Sequence, residues 1–156
     1  MEAITTPDLS ARPLGFKVER LMESPPDVLF QAWTEKFDEW FAAPGTMIMK
    51  AEVNSVFFFE TVFKAAEDSV EQRHPHYGRF LRLIPGRLIE FTWLTGASGT
   101  KGAETVVTIE LEAKQSGTLL SLTHKGFPDE ESKRRHDSAW KMILEYLDQK
   151  MLKNMD

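Results

Sequence analysis

The sequence predicts an α+β domain: a curved antiparallel sheet of about seven strands, two short helices near the start, and one long C-terminal helix laid across the sheet. Three observations predict it. Between residues 46 and 125 apolar residues recur with a period of two, in six segments separated mostly by short turns. Before them, "FKVERLM" (16–22) alternates in the same way and runs into "ESPPD", a helix start. After them, from about Asp129, the period becomes helical and Trp140, Ile143, Leu144, Leu147 and Met151 fall on one stripe.

Composition allows one such domain and leaves no room for a second. The chain has 156 residues, 42% hydrophobic and 28% charged, which is enough to bury a core. Residues 15–156 form the domain, and residues 1–14, with acidic Glu2 and Asp8, prolines and no apolar stretch, read as a flexible lead-in and not a signal peptide. The net charge of −5 with scattered basic residues gives nucleic acid no footprint. No apolar run is long enough to span a bilayer, so no membrane partner is expected. The absence of cysteine excludes disulfides, thiolate ligands and a cysteine nucleophile and fits a reducing compartment; the cytoplasm is the expected location.

The first strand is followed by "DVLFQAWTEKFDEWFAAPG", where Ser24 can cap and Pro25 can open a helix. Val28, Ala32 and Trp33 cluster, then Phe37, Trp40 and Phe41 one turn apart, until Pro44-Gly45 stop it; one helix or two short ones satisfy the pattern. The six later strands are "TMIMKAEV", "SVFFFETVFK", "YGRFLRLI", "RLIEFTWLT", "ETVVTIELEA" and "TLLSLTHK". Turns as short as "IPGR" and "KQSG" favour an antiparallel meander, and the longer "AAEDSVEQRHPH" and "GASGTKGA" are candidates for mobile loops.

Alternation also sorts the faces. Val107, Ile109 and Leu111 oppose Thr108, Glu110 and Glu112; Ile89, Phe91 and Trp93 oppose Glu90 and Thr92; Leu120, Leu122 and His124 oppose Ser121 and Thr123. His124 therefore points inward. Phe57, Phe59 and Thr61 are expected on the same inner face, which leaves Val56 and Phe58 outside, either as a homodimer surface or as ordinary exposed apolar side chains. The terminal helix, about 33 Å long at ~1.5 Å per residue, carries His136 one turn before Trp140, so His136 faces the sheet near His124.

That histidine pair is the best catalytic candidate, because an imidazole near neutral pKa transfers protons. The plainer alternative is that His124 bonds a backbone group and His136 closes the end of the core. "RHPHYG" would place His74 and His76 on one face of a strand, but Pro75 argues for a loop and a third ligand is missing, so no metal is expected. Tyr77 and Arg79 are candidates to anchor the polar end of a ligand, against the alternative of a solvated strand end. The aromatics Trp33, Trp40, Phe41, Phe59, Phe91, Trp93, Phe127 and Trp140, with Leu144, converge under the long helix as core or as pocket lining. The chain has no GxSxG and no glycine-rich phosphate loop, and no cofactor is expected.

The order strand, short helices, meander and long terminal helix resembles the helix-grip fold of the START-like superfamily. The stretches "VERLMESPPDVLFQAWTE", "HPHYGRFLRLIPGRLIEFTW", "ETVVTIELE" and "LSLTHKGFPDEESKRRHDSAW" are similar to the family named after the activator of the ninety-kilodalton heat-shock chaperone's ATPase, over roughly residues 16 to 150. The chain departs from many relatives in carrying "EVNSVFFFE" where they have a glycine-rich turn. The resemblance implies a deep, often apolar cavity between helix and sheet. Three functions are compatible with it. One is a binder of a small apolar or aromatic molecule, with His124, His136, Tyr77 and Arg79 orienting its polar end. The second is a cyclase, hydrolase or isomerase using a cavity histidine. The third is a protein-interaction module, as chaperone cofactor or homodimer.

Overall fold

The computed structural model describes residues 5–63, 66 and 69–155. β1 (Leu14–Met22) leads into α1 (Pro26–Thr34) and a single 3-10 turn (Phe37–Glu39). β2 (Val56–Phe63), β3 (Gln72–Ile84), β4 (Leu88–Trp93), β5 (Thr105–Lys114) and β6 (Gly117–Phe127) follow, and α2 (Glu130–Met155) closes the chain. The strands form one six-stranded sheet in the order β1-β6-β5-β4-β3-β2, antiparallel at every pairing, so the meander closes by bringing β6 beside β1.

Six strands replace the seven expected. "TMIMKAEV" keeps its alternation, with Met47 and Met49 against the core and Ile48 71% exposed, but pairs only through a single bridge from Ile48 to Phe58. It lies outside edge strand β2, and with no further strand to hold it the ladder ends after one bridge. The turn after it bends at Asn54, whose φ of 71° is left-handed, a conformation that asparagine adopts more readily than most residues.

The predicted faces hold. Phe57, Phe59, Ile89, Phe91, Val107, Ile109, Leu120, Leu122 and Trp140 are all buried in one cluster between the sheet and the helices, while Val56 is 72% exposed. Gly78 is part of this packing: a Cβ there would run into the Phe57 ring opposite it and the Thr92 carbonyl. β3 reaches past the end of β4, and Pro75 sits in that overhang. The Tyr77 N–H bonds the Leu94 carbonyl, so the nitrogen of Pro75, two residues earlier, faces the side where β4 has run out, and its missing N–H leaves no ladder bond unmade.

α2 is fixed at both ends of its span. Asp129 caps it by accepting the Ser132 N–H at 2.9 Å, and Lys101 reaches Asp129 and Glu131 at 2.8 and 3.2 Å. Further along, the buried Asp148 carboxylate accepts the N–H groups of Glu23 and Ser24 and the Ser24 hydroxyl, at 3.0–3.2 Å. Ser24 therefore serves α2 and not α1, whose N-cap is Pro25 without a side-chain hydrogen bond.

"GASGTKGA" is tied down as well. Thr95 and Thr100 exchange hydrogen bonds at 2.8 and 2.9 Å, and Ser132 donates to the Gly99 carbonyl at 2.8 Å. The other loop candidate, "AAEDSVEQRHPH", lies partly outside the described residues, and from Gln72 it is β3. Of the lead-in, residues 1–4 are likewise outside; from residue 5 the chain is irregular until β1, and Arg12 holds the Gly126 and Glu104 carbonyls at 2.9 and 2.7 Å.

Candidate functional site

Much of the space under α2 is filled. Trp33, Phe37, Trp40, Phe59 and Phe91 are at most 5% exposed and pack ring on ring, with Trp33–Trp40 and Phe37–Phe59 centroids 4.9 and 5.0 Å apart. Leu144 is fully buried there too. Trp33, Trp40, Phe59, Phe91 and Leu144, expected as core or lining, are buried in the core.

At one end the packing opens into a cleft of about 530 Å³ between the start of β3, the 95–99 loop and the first half of α2. Phe41, Trp93, Trp140 and Ile143 supply its apolar walls, and His76 and His136 line it from strand and helix. His74, Thr61, Ala139 and the arginines Arg73 and Arg135 also line it. Both arginines already have carboxylate partners: Arg73 meets Glu60 at 3.1 Å and Glu71 at 3.5 Å, and Arg135 meets Glu131 at 3.7 Å.

His124 lies beside this cleft without joining its lining. Its ring is fully buried and both nitrogens are used. The Trp140 indole N–H donates to Nδ1 at 3.0 Å, which fixes Nδ1 as acceptor and puts the ring proton on Nε2. Nε2–H then donates to the Thr105 hydroxyl at 2.7 Å, and that hydroxyl donates to the Trp93 carbonyl at 2.6 Å. Desolvation, with a smaller contribution from His136, holds its pKa well below the ordinary histidine value, so the ring is neutral. Every donor in this Trp140–His124–Thr105 relay has an acceptor, and no nitrogen of the His124 ring is left for a reactant. Phe127 packs on both His124 and His136, at 4.4 and 5.0 Å between centroids.

His76 and His136 are bonded in the opposite sense. His76 Nδ1 lies 2.8 Å from the His74 carbonyl, and His136 Nδ1 lies 2.9 Å from the Ser132 carbonyl one turn back. A carbonyl only accepts, so Nδ1 carries the proton on both rings and Nε2 holds the free lone pair. Both residues line the cleft, and among the described residues neither Nε2 has a hydrogen-bond partner. Burial pushes the His76 pKa down to about 4, against the opposing pull of the His74 carbonyl. Burial lowers His136 as well, opposed by the Ser132 carbonyl. His76 is clamped besides, stacked on Phe59 at 4.7 Å and set edge-on to Trp93 at 4.9 Å.

The structure thus brings His136, Trp140, Trp93 and Phe41 to the cleft and places the His124 and His136 rings 5.0 Å apart. It does not bring Tyr77 or Arg79. Both project from the other face of the sheet, where Tyr77 packs on Phe58 at 5.2 Å and Arg79 bonds Asn54 at 2.7 Å and the Thr5 carbonyl. Strand parity is the reason. With Pro75 inside β3, His74 and His76 take the inner positions and residues 77 and 79 the outer ones. The alternation of His74 and His76 is the signal that points to His76, and it is masked in the sequence by the proline between them. Among the described residues no three His, Asp or Glu side chains are placed to hold a metal ion.

A long helix gripped by a curved antiparallel sheet, with an opening between them, defines a helix-grip protein of the START-like class. The family described as Activator of Hsp90 ATPase homolog 1-like protein matches residues 23–151, and the chain belongs to it. Solved structures agree on the fold. Protein CV1439 from Chromobacterium violaceum is 23% identical, with 88% of this chain and 96% of that one covered at a TM-score of 0.73. Protein MLL2253 from Mesorhizobium loti is 23% identical, with 92% and 99% covered at 0.68. The AHSA1 protein SPO3351 from Silicibacter pomeroyi is 21% identical, with 90% and 99% covered at 0.72. No curated protein matches the chain. Among the described residues no helix is long and apolar enough to cross a membrane.

Proposed function

We propose that the protein binds a small aromatic molecule in the cleft between β3, the 95–99 loop and α2. One observation carries this reading: the cleft joins aromatic walls from Phe41, Trp93 and Trp140 to two anchored imidazoles, the mixture of apolar surface and few oriented polar groups that small-molecule sites use. The 95–99 loop is held to α2 by Ser132 and to itself by the paired threonines, which supports a preformed site that loses little freedom on binding. Native mass spectrometry of the purified protein, before and after denaturation, tests it. A small mass released on unfolding and competed away by added aromatic compounds supports the proposal; no retained mass and no binding from a fragment library removes it.

Association through the outer face of β2 and β3 is a second reading. It is supported by Ile48 and Val56, 71% and 72% exposed beside Phe58 and Tyr77. Sedimentation of the wild type and of Phe58→Glu checks it: a dimer abolished by the charge supports association, and a monomer throughout ends it.

A further inference from the structure

If the cleft is a binding site, on which this inference rests, the bonding of its two histidines says more about the ligand than that it is aromatic. Each ring spends its one N–H on a backbone carbonyl, at 2.8 Å for His76 and 2.9 Å for His136. What each presents to the cleft is a lone pair. Two walls of the same site, one on β3 and one on α2, therefore offer hydrogen-bond acceptors and no imidazole donor.

Charge is the second consideration. The cations lining the opening, Arg73 and Arg135, each have glutamates within 4 Å that offset their charge, so they attract an incoming carboxylate less than free arginines would. An anionic group placed deeper would meet two imidazole lone pairs, which repel it. A ligand donor, in contrast, relieves an acceptor that is poorly solvated beside Trp93 and Trp140.

We infer that the cleft selects a neutral aromatic ligand by a hydroxyl or N–H donor, a phenol or an aryl amine, held on Nε2 of His76 or His136. The ring lies against Phe41, Trp93 and Trp140, and the donor is what distinguishes the ligand from a plain hydrocarbon of equal size. A site that binds a phenol but turns away the corresponding acid is the consequence of this arrangement, because specificity comes from leaving the wrong group unpaired or repelled.

Three probes of one ring size test it: 2-naphthol, naphthalene and 2-naphthoate, titrated at neutral pH and followed by 1H–15N NMR of the backbone amides. The expected result is shifts at the cleft, with 2-naphthol bound about five- to tenfold tighter than naphthalene, the worth of one good neutral hydrogen bond, and 2-naphthoate weakest. Whichever of His76→Phe and His136→Leu removes the acceptor in use should bring 2-naphthol and naphthalene to within about twofold of each other; a full preference kept by both variants overturns the inference. If naphthalene matches 2-naphthol, or 2-naphthoate binds tightest, the cleft is a binding site and the donor selection is wrong. If none of the three shifts the cleft amides, the binding proposal falls and this inference with it. Long-range 1H–15N spectra of the wild type give a check that needs no variant: His76 and His136 should carry their proton on Nδ1 and His124 on Nε2. A proton on Nε2 of both cleft rings overturns the inference whatever the titrations show.

Discussion

His124 and the His76/His136 pair occupy neighbouring parts of one interior, all three against aromatic rings, and differ in how many fixed partners each ring has. His124 has two, Trp140 on Nδ1 and Thr105 on Nε2, and the chain ends in the Trp93 carbonyl. Among the described residues His76 and His136 have one each, on Nδ1. Burial is nearly as deep at His76, 8% exposed, as at His124, 0%. Depth therefore does not separate a structural histidine from a candidate functional one; the number of ring nitrogens already spoken for does.

The largest test of that contrast is His124→Ala. It strips the Trp140 N–H of its buried acceptor and leaves a hole beside Phe127, and about 4 kcal/mol of stability should be lost in urea unfolding. A loss under about 1 kcal/mol would mean that the relay is not what holds this end together.

Next is acid sensitivity. The His76 pKa falls from 6.5 to about 4 on folding, so between those values the unfolded chain binds a proton that the folded one refuses. Stability should be unaffected by this group above pH 6.5 and decline as the pH falls from 6.5 towards 4, by roughly 3 kcal/mol in all. His76→Phe, which keeps the stack on Phe59, should flatten that slope relative to wild type. Parallel slopes in the two proteins would show that His76 is not the group refusing the proton.

His136→Leu should cost only about 0.5–1 kcal/mol, since the Ser132 carbonyl it gives up is part of the α2 ladder already. A cost comparable to that of His124→Ala would erase the distinction between the two regions. The smallest effect belongs to Arg79→Ala on the outer face, within about 0.5 kcal/mol in stability and with 2-naphthol affinity unchanged. Altered affinity there would place the binding surface on the wrong side of the sheet.

Most of the architecture is legible in the sequence because alternation and helical spacing report directly which side chains must leave water. The inward set of β4, β5 and β6 and the stripe on α2 follow from that alone. What alternation does not report is whether a partner strand exists, and so "TMIMKAEV" has a strand's faces without a strand's ladder. Ser24 is a local capping signal overridden by a carboxylate 124 positions away, an encounter no window of sequence contains. The site is half legible. Periodicity places His136, Trp140, Trp93 and Phe41, whereas it misplaces Tyr77 and Arg79 once Pro75 is given a loop's meaning. That proline is harmless where β4 has ended, and only the sheet's outline shows where that is. The tautomers, on which the candidate chemistry turns, depend on which carbonyl lies beside which nitrogen and are not a property of residue type.

Trp140 belongs to both regions at once: its indole N–H anchors His124 and its ring is a wall of the cleft. A lineage drifting towards a new ligand cannot reshape that wall freely, because any replacement lacking an N–H at that point unfastens the core behind it. Diversification is left to residues that line the cleft without belonging to the core, Ala139 and Thr61 among them. Descendants of this sequence should vary at those positions and keep the indole, so that the tryptophan acts as an evolutionary ratchet: the interior fixes it, and the repertoire of ligands can change only around it.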